Sequence, residues 1–305
     1  MDFSSFFLLL LTNCLGGASF LATAYALKNL SPFAVVFWRV LIAGPLFLPF
    51  CVRALRKTHL NLEDWGRIFL IAAVGYDAPL IFGAWGQKLS SATHAALLMA
   101  LEPIAIIFLA AILLGEELSA LKIFALGVSL IGSFLIVSQG HSLIQLFDFS
   151  RGSCLGDGFL CLQGILFALY TVIGKPLLKK IDALSLTALI SFLAIFPLFF
   201  FLLSGKFVAV KFSISGPTLF FVLYLSLGVS FAGVLTWNLA MERVSASLLA
   251  YFIFLQPLLG VLFGVFLLRE ALNWGSFLGG ILILLGVYCA TLKPQGEPRP
   301  EKLVK

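Results

Sequence analysis

Residues 89–116 read LSSATHAALLMALEPIAIIFLAAILLGE, and residues 243–270 read RVSASLLAYFIFLQPLLGVLFGVFLLRE. The two stretches have the same length, and their distinctive residues align: Glu102 with Gln256, Pro103 with Pro257, and Glu116 with Glu270. The offset between them is 154 residues, from position 89 to position 243, and it also carries the other early apolar segments onto later ones. The chain is therefore a duplication.

The apolar composition identifies the solvent in which the chain folds. Of the 305 residues, 61% are hydrophobic and only 11% are charged, whereas soluble domains carry about 25% charged residues. About 20 mostly apolar residues in a helix cross a bilayer, and ten segments meet that requirement. The predicted spans are 4–25, 32–52, 67–86, 92–114, 121–138, 157–174, 184–203, 217–238, 247–268 and 274–292. We expect an all-α integral membrane protein of ten transmembrane helices.

An odd number of spans in each copy makes the second copy cross the membrane in the opposite sense. The prediction is two inverted five-helix repeats, residues 1–140 and 141–293, followed by a disordered cytoplasmic tail at 294–305. Many secondary transporters use this plan, since two equivalent halves can exchange roles around a central site. The alternative is that the duplication only builds a large helical bundle.

Orientation follows from the basic residues, because cytoplasmic loops carry an excess of Lys and Arg. With the N-terminus inside, the inner segments hold thirteen basic residues and the outer loops hold six. We therefore expect both termini in the cytoplasm of a cell whose inner membrane holds the protein. The chain has a net charge of +6, but its basic residues lie in loops and form no continuous basic helix. A nucleic-acid partner is not expected.

Three ionisable residues lie inside predicted spans: Arg39, Asp77 and Glu102. Such groups are expensive in a bilayer, at about 2.5 to 3.5 kcal/mol on insertion scales, so each calls for a reason. Arg39 is predicted to form a charge pair with one acid, which leaves the other acid protonated, hydrated or paired with a cationic ligand. Glu102 is the preferred proton-coupling or ligand-binding acid, and Asp77 is the second. The charges are not repeated, because the 154-residue offset pairs these three positions with Leu193, Phe231 and Gln256.

The prolines Pro103 and Pro257 fall in the middle of predicted helices. Proline removes one backbone hydrogen bond and bends a helix, and here it would strand the carbonyls of Met99 and Ile253. Two kinks at related positions predict a cavity lined by the side chains at 102 and 256, although a kink can also serve packing alone. The other candidate substrate-binding residues near this depth are Asn13, Tyr76, Gln163 and Tyr170, and Ser230 lies near it as well.

The remaining sequence features say less about function. Gln163 and Tyr170 are seven apart and share one helix face. Trp237 lies near a predicted span end, where an interfacial anchor is expected. The five cysteines form no CxxC pair, so we expect no metal, disulfide or cofactor. The pairs Gly260 with Gly264 and Gly275 with Gly279 would let helices 9 and 10 approach closely, and the same pattern permits a homodimer.

Three stretches carry a resemblance: Phe37-Trp38-Arg39, the Glu102-Pro103 run that closes on Leu114-Gly115-Glu116, and the Leu255-Gln256-Pro257 run that closes on Leu268-Arg269-Glu270. Through them the chain resembles the EamA family of the drug/metabolite transporter superfamily, over nearly its full length. Arg269 stands where the family has glycine. The resemblance implies alternating access, a cavity lined by helices 1, 3, 4, 6, 8 and 9, peripheral helices 5 and 10, and a structural or gating role for Glu116 and Glu270.

The leading hypothesis is a secondary transporter for a small polar metabolite, such as an amino acid or a related amine or zwitterion. It would work by alternating access around Asp77, Glu102 and Gln256, with proton or exchange coupling. A cationic adenosyl cofactor such as S-adenosylmethionine is the alternative substrate. Two other classes are a membrane scaffold and an intramembrane enzyme, and the sequence contains neither the HExxH nor the GxSxG motif of hydrolases. We do not expect an enzyme.

Overall fold

The structure of the chain, a computed structural model, describes residues 1–58, 60–90, 92–138, 151–203, 214, 216–268 and 273–292. Within these ranges the regular secondary structure is helical, and no β-strand occurs. The predicted tail at 294–305 and the motif residues Arg269 and Glu270 lie outside the described residues. The predicted all-α membrane fold is confirmed.

Ten helical segments follow one another along the described ranges, and each predicted span overlaps one of them. We label them α1 to α10, with a and b for the parts on either side of a break. Their bounds are α1a Phe3–Gly17, α1b Ser19–Ala26, α2a Pro32–Leu46, α2b Leu48–Lys57, α3a Leu62–Leu70, π1 Ile71–Asp77, α3b Ala78–Leu89, α4a Ala92–Leu98, α4b Leu101–Leu114, α5 Ala120–Ser138, α6 Arg151–Leu177, α7a Ala183–Leu193, α7b Ile195–Leu203, α8a Gly216–Leu223, π2 Tyr224–Gly233, α8b Val234–Arg243, α9a Ala246–Ile253, α9b Leu255–Leu268 and α10 Trp274–Thr291.

The number of membrane spans is a separate question from the number of segments. Among the described residues, eight helices are long and apolar enough to cross a bilayer. The pair Pro32–Leu46 and Leu48–Arg56, bent by 53°, makes a ninth if it is one span. In α9 the apolar helix Ala246–Leu262 is too short to be counted among these spans. The chain is a multi-pass membrane protein, but the count of ten transmembrane helices is not confirmed.

The first helix of each repeat packs into the other repeat. Helix α1 contacts α8b and α9b, and its counterpart α6 contacts α3b and α4b. Exchanging the two repeats turns the contacts of α1 with α8b and α9b into those of α6 with α3b and α4b, as an inverted duplication requires. Helices α1, α3, α4, α6, α8 and α9 therefore meet across the boundary between the repeats.

The peripheral pair α5 and α10 shows the same symmetry at atomic detail. A Cβ atom on Gly132 of α5 would lie 2.6 Å from the backbone oxygen of Gly279 on α10. The symmetry-related contact sets Gly286 against Ala125, where a Cβ atom would lie 2.8 Å from the backbone oxygen. Gly275, Gly279 and Gly286 of α10 therefore face α5. The pair Gly275 and Gly279, which we expected to bring helix 10 close to helix 9, instead brings it close to helix 5. Small residues allow this because the two backbones can touch directly.

Both prolines begin new half-helices. Pro103 lies in the first turn of α4b and Pro257 in the first turn of α9b, positions where the missing proline N–H leaves no helical bond unmade. The Met99 carbonyl, which we expected to be stranded, accepts the backbone N–H of Glu102 at 3.0 Å. That expectation is wrong for Met99, because the helix is interrupted before Pro103 and the carbonyl is used in the turn between the two half-helices.

The offset between α2 and α7 differs from the 154 residues that separate the starts of α3 and α8, of α4 and α9, and of α5 and α10. Ser31 caps α2 and Asp182 caps α7, and each side chain accepts the backbone N–H three residues on. The caps are 151 residues apart, not 154, so Arg39 is matched by Ile190 and not by Leu193. The uniform offset predicted from the sequence is wrong for this pair.

Candidate functional site

A cavity of about 160 Å³ lies between the two repeats. Cavities of about 150 Å³ in other proteins admit benzene, so a small organic molecule fits. The six helices named by the resemblance all contribute to its wall, and α2 contributes in addition through Val35, Val36 and Arg39. None of the residues in the wall comes from α5 or α10 in the part of the chain that is described.

Five of the predicted residues share this cavity. They are Arg39, Tyr76, Glu102, Gln163 and Gln256. The half-helix breaks explain two of them, because Glu102 and Gln256 each lie in the first turn after a break, beside a proline. The other predicted residues, Asn13, Asp77 and Tyr170, are buried behind the wall.

Gln256 is oriented by α1. Its Nε2 atom donates a hydrogen bond to Oδ1 of Asn13 at 3.0 Å, and Nδ2 of Asn13 donates to the Leu9 carbonyl at 2.7 Å. A Cβ atom on Gly16 would lie 2.9 Å from the Gln256 side chain, so glycine is what lets α1 pass this close. Asn13, which is wholly buried, therefore positions Gln256.

Glu102 faces the cavity without a partner. Its residue is 8% exposed, and its carboxylate makes no hydrogen bond or ion pair with any described residue. Helix α6 passes closely at Gly164, where a Cβ atom would lie 3.3 Å from the backbone nitrogen of Glu102. The wall thus presents an acid that a ligand can reach.

Arg39 is the positive group of the cavity. Its Nε atom donates to the Ser230 hydroxyl on π2 at 2.5 Å. Within the described residues no carboxylate lies within 4.0 Å of its guanidinium. The charge pair expected between Arg39 and Asp77 or Glu102 is therefore not formed in this structure, and Arg39 is held by a neutral hydroxyl instead.

Asp77 ends the π1 segment and is 2% exposed. Neither carboxyl oxygen has a hydrogen-bond partner among the described residues. A charged carboxylate is strongly disfavoured in such surroundings. π-helical turns occur often at functional sites, and π2 is the matching segment in the second repeat.

Gln163 and Tyr170, the two predicted site residues of α6, occupy different positions relative to the cavity. Gln163 lines the cavity, and its side chain lies against Gly83, where a Cβ atom would meet Oε1 at 2.5 Å. Tyr170 is buried one step further from the lumen, and its hydroxyl accepts a hydrogen bond from Nδ2 of Asn238 at 2.7 Å. The same Asn238 amide donates to the Thr187 hydroxyl at 2.8 Å, which ties α6, α7 and α8 together behind the wall.

A sequence model of the family described as the EamA-like transporter family matches residues 3–138 and 155–292. The chain belongs to this family. Each matched stretch covers one five-helix half of the fold, so this EamA-like transporter carries the family pattern twice.

Relatives of the transporter are similar over most of its length. An uncharacterized transporter of Archaeoglobus fulgidus is 31% identical over 296 residues, covering 96% of this chain and 99% of the relative. A probable terminal-alkyne amino-acid exporter of Streptantibioticus cattleyicolor is 25% identical over 241 residues, covering 78% of this chain and 76% of the relative. A solved crystal structure superposes with a TM-score of 0.78 at 19% identity, covering 95% of this chain and 97% of that one, which supports the fold alone.

The transporter's two repeats are joined at the end of the bundle that holds the N-terminus, which we call the N-terminal end. Gly115 ends α4b with a left-handed backbone (φ 68°), a conformation that favours glycine. Glu116 follows, and its carboxylate accepts the backbone N–H groups of Ala246 and Ser247 at 2.7 and 2.9 Å and the Ser247 hydroxyl at 2.5 Å. Nearby, Nζ of Lys175 donates to the Val244 carbonyl at 2.5 Å.

At the opposite end, which we call the far end, Asp157 of α6 bridges to the first repeat. Its carboxylate accepts a hydrogen bond from the Ser90 hydroxyl at 2.6 Å and lies 2.8 Å from Nδ1 of His94. Each end of the transporter therefore has polar contacts between the repeats, and the cavity lies between these two sets of contacts.

Some residues of the site were not predicted. Trp237, expected as an interfacial anchor, is 3% exposed and lines the cavity. That expectation is wrong because α8 continues to Arg243, beyond the predicted end at 238, so the tryptophan lies well inside the helix. Phe167 packs beside it, with ring centroids 5.6 Å apart. Thr12 also reaches the cavity and donates to the Thr236 hydroxyl at 2.6 Å.

Proposed function

We propose that this EamA-like protein is a secondary transporter that moves a small polar metabolite, an amino acid or a related amine or zwitterion, across the inner membrane by alternating access. The observation that carries the proposal is the cavity between the repeats, into which the acid Glu102 and the base Arg39 both project without an ionic partner among the described residues. Purely structural charges in a bilayer pair with each other. Unpaired charges facing a lumen suit a polar ligand.

Alternating access is supported by the contacts at the two ends. The Glu116 carboxylate joins the repeats at the N-terminal end, and Asp157 joins them at the far end. Both contacts are made by side chains that meet the other repeat at a helix start or at a loop, so they can break without disturbing a packed core. Opening one set while the other stays closed would expose the cavity to one side at a time.

The size of the cavity favours an amino acid over the alternative substrate. A volume of about 160 Å³ suits a molecule of about benzene size, and an adenosyl cofactor is several times larger. The relative from Streptantibioticus cattleyicolor, whose name describes an amino-acid exporter, supports the same choice. Proton or exchange coupling would use Glu102 or Asp77, the acids buried in this region.

The test is transport by the purified protein in liposomes. Uptake of a panel of labelled amino acids and amines is measured with and without a pH gradient, for the wild type, Glu102→Gln and Asp77→Asn. Glu117→Gln is the matched control, because Glu117 is exposed just after α4 and is not part of the cavity wall. We expect flux that falls at least tenfold in Glu102→Gln and stays unchanged in Glu117→Gln.

Two results would count against the proposal. Flux that is identical in the wild type, Glu102→Gln and Asp77→Asn would remove these acids from the mechanism. No flux for any compound of the panel would favour a scaffold over a transporter.

A further inference from the structure

The side chain of Arg39 has unused donors. A guanidinium carries five N–H donors, and here the Nε–H alone is engaged, by the Ser230 hydroxyl at 2.5 Å. The Nη atoms make no hydrogen bond to the described residues, and Arg39 lines the cavity. The two Nη groups are therefore available to a ligand in the cavity.

Ser230 fixes the orientation of the guanidinium. It belongs to π2 of the second repeat and is wholly buried, while Arg39 belongs to α2a of the first repeat. A hydroxyl at Nε leaves the Nη atoms free and holds the guanidinium plane, which is the arrangement that binds a carboxylate through two parallel hydrogen bonds. A lysine cannot reproduce this geometry, because its ammonium is a single point charge.

The acid Glu102 lines the same cavity as Arg39. Glu102 has no partner among the described residues, so the lumen offers one cation and one acid. A ligand that carried only a positive charge would leave Arg39 unmatched in a low-dielectric site, which is unfavourable. A ligand with both charges satisfies both groups at once.

The geometry points to Arg39 as the residue that binds the carboxylate of a zwitterionic substrate, with Ser230 positioning the guanidinium and Glu102 facing the substrate ammonium. This assignment rests on the proposed transport function, and it specifies which charges the substrate must carry. It replaces the structural charge pair that the sequence suggested for Arg39.

The experiment compares three forms of each amino acid that the wild type transports in liposomes. These are the amino acid, its methyl ester and its decarboxylated amine, each used to compete with uptake of the labelled amino acid. For the wild type, we expect the ester and the amine to compete about tenfold to hundredfold more weakly, since each lacks the charged acceptor.

The variants then assign this preference to Arg39. In Arg39→Lys the preference for the carboxylate should shrink about tenfold, because the two-pronged contact is lost and only the charge remains. In Ser230→Ala it should shrink by a smaller factor. Ser226→Ala is the matched control, since Ser226 lies in the same π2 segment but its hydroxyl donates to the Val222 carbonyl of its own helix, and its preference should equal that of the wild type.

Each outcome decides the question. A wild type that treats acid, ester and amine alike would overturn the assignment while leaving the transport function intact, and so would a full preference in Arg39→Lys. If Arg39→Lys does not fold, equal preferences in Ser230→Ala and Ser226→Ala would overturn it. A wild type that transports no compound of the panel would overturn both the function and the assignment.

Discussion

Replacing Gly132 by alanine should force α5 away from α10. The added Cβ atom would lie 2.6 Å from the backbone oxygen of Gly279 and 2.9 Å from Ile283. The first neighbour is backbone, so no side-chain rotation relieves the contact, and the two helices must separate along their shared crossing.

The magnitude follows from two opposing effects. Overpacking a close contact costs about 1 to 3 kcal/mol, while replacing a helical glycine by alanine gains up to about 1 kcal/mol of helix propensity. Gly127 on the same helix is the control, because a Cβ atom there would meet nothing within 4 Å. We therefore expect Gly127→Ala to be as stable as the wild type or slightly more stable, and Gly132→Ala to be less stable than Gly127→Ala by about 1 to 3 kcal/mol.

The measurement is the free energy of unfolding in mixed detergent micelles, followed by tryptophan fluorescence and by elution of the folded monodisperse protein. Both variants change the same residue to the same side chain in α5, so effects of alanine on the unfolded chain cancel. Equal stabilities of Gly132→Ala and Gly127→Ala would show that the α5–α10 crossing is not as close as the structure has it.

Three further changes have definite expected results. Glu116→Gln should weaken the contacts at the N-terminal end and raise the reactivity of a cysteine introduced in the cavity, measured from that side, by about tenfold or more, because bonds to a charged acceptor are worth about 1.5 to 3 kcal/mol. Asn238→Ala should lower the free energy of unfolding by about 1 to 3 kcal/mol, because it leaves two buried hydroxyls without their donor. In a cysteine-free background, Glu63→Cys should be labelled from the cytoplasm and Lys28→Cys from the opposite side of the membrane.

For each of these three changes, a control or an opposite result would contradict the expected effect. Glu117→Gln should leave cavity reactivity unchanged, and equal reactivity in Glu116→Gln would mean that the carboxylate does not hold the repeats together. A stable Asn238→Ala would mean that the hydroxyls find other partners. Labelling of Glu63→Cys from outside the cell would reverse the expected orientation.

The fold was predictable because two simple signals agree. Span length and hydropathy place the helices, and the repeated pattern around Pro103 and Pro257 shows the duplication. The prolines also place Glu102 and Gln256 near the middle of α4 and α9, where the half-helix breaks occur. Hydropathy and proline positions therefore predict how far along a helix a residue lies.

Direction around a helix was not predictable. Successive residues of an α-helix point about 100° apart, and the sequence alone does not show which of Tyr76 and Asp77 faces the cavity. The π1 segment that contains them changes the helical phase, and only the structure shows that Tyr76 lines the lumen while Asp77 lies behind it. Ser230 was recognised as a polar residue near this depth, but its contact with Arg39 was missed because the sequence does not show which helix faces which.

The three-residue difference in register between α2 and α7 has a consequence for energetics. If the repeats were perfect copies, exchanging their conformations would give two access states of equal free energy. Here α2 is capped by Ser31 and α7 by Asp182, 151 residues apart, whereas α3 and α8, α4 and α9, and α5 and α10 begin 154 residues apart. Arg39 therefore has an isoleucine as its counterpart. The exchanged state would then have different contacts and a different free energy. We therefore expect the empty protein to favour one access state, and substrate binding to supply the free energy needed to reach the other.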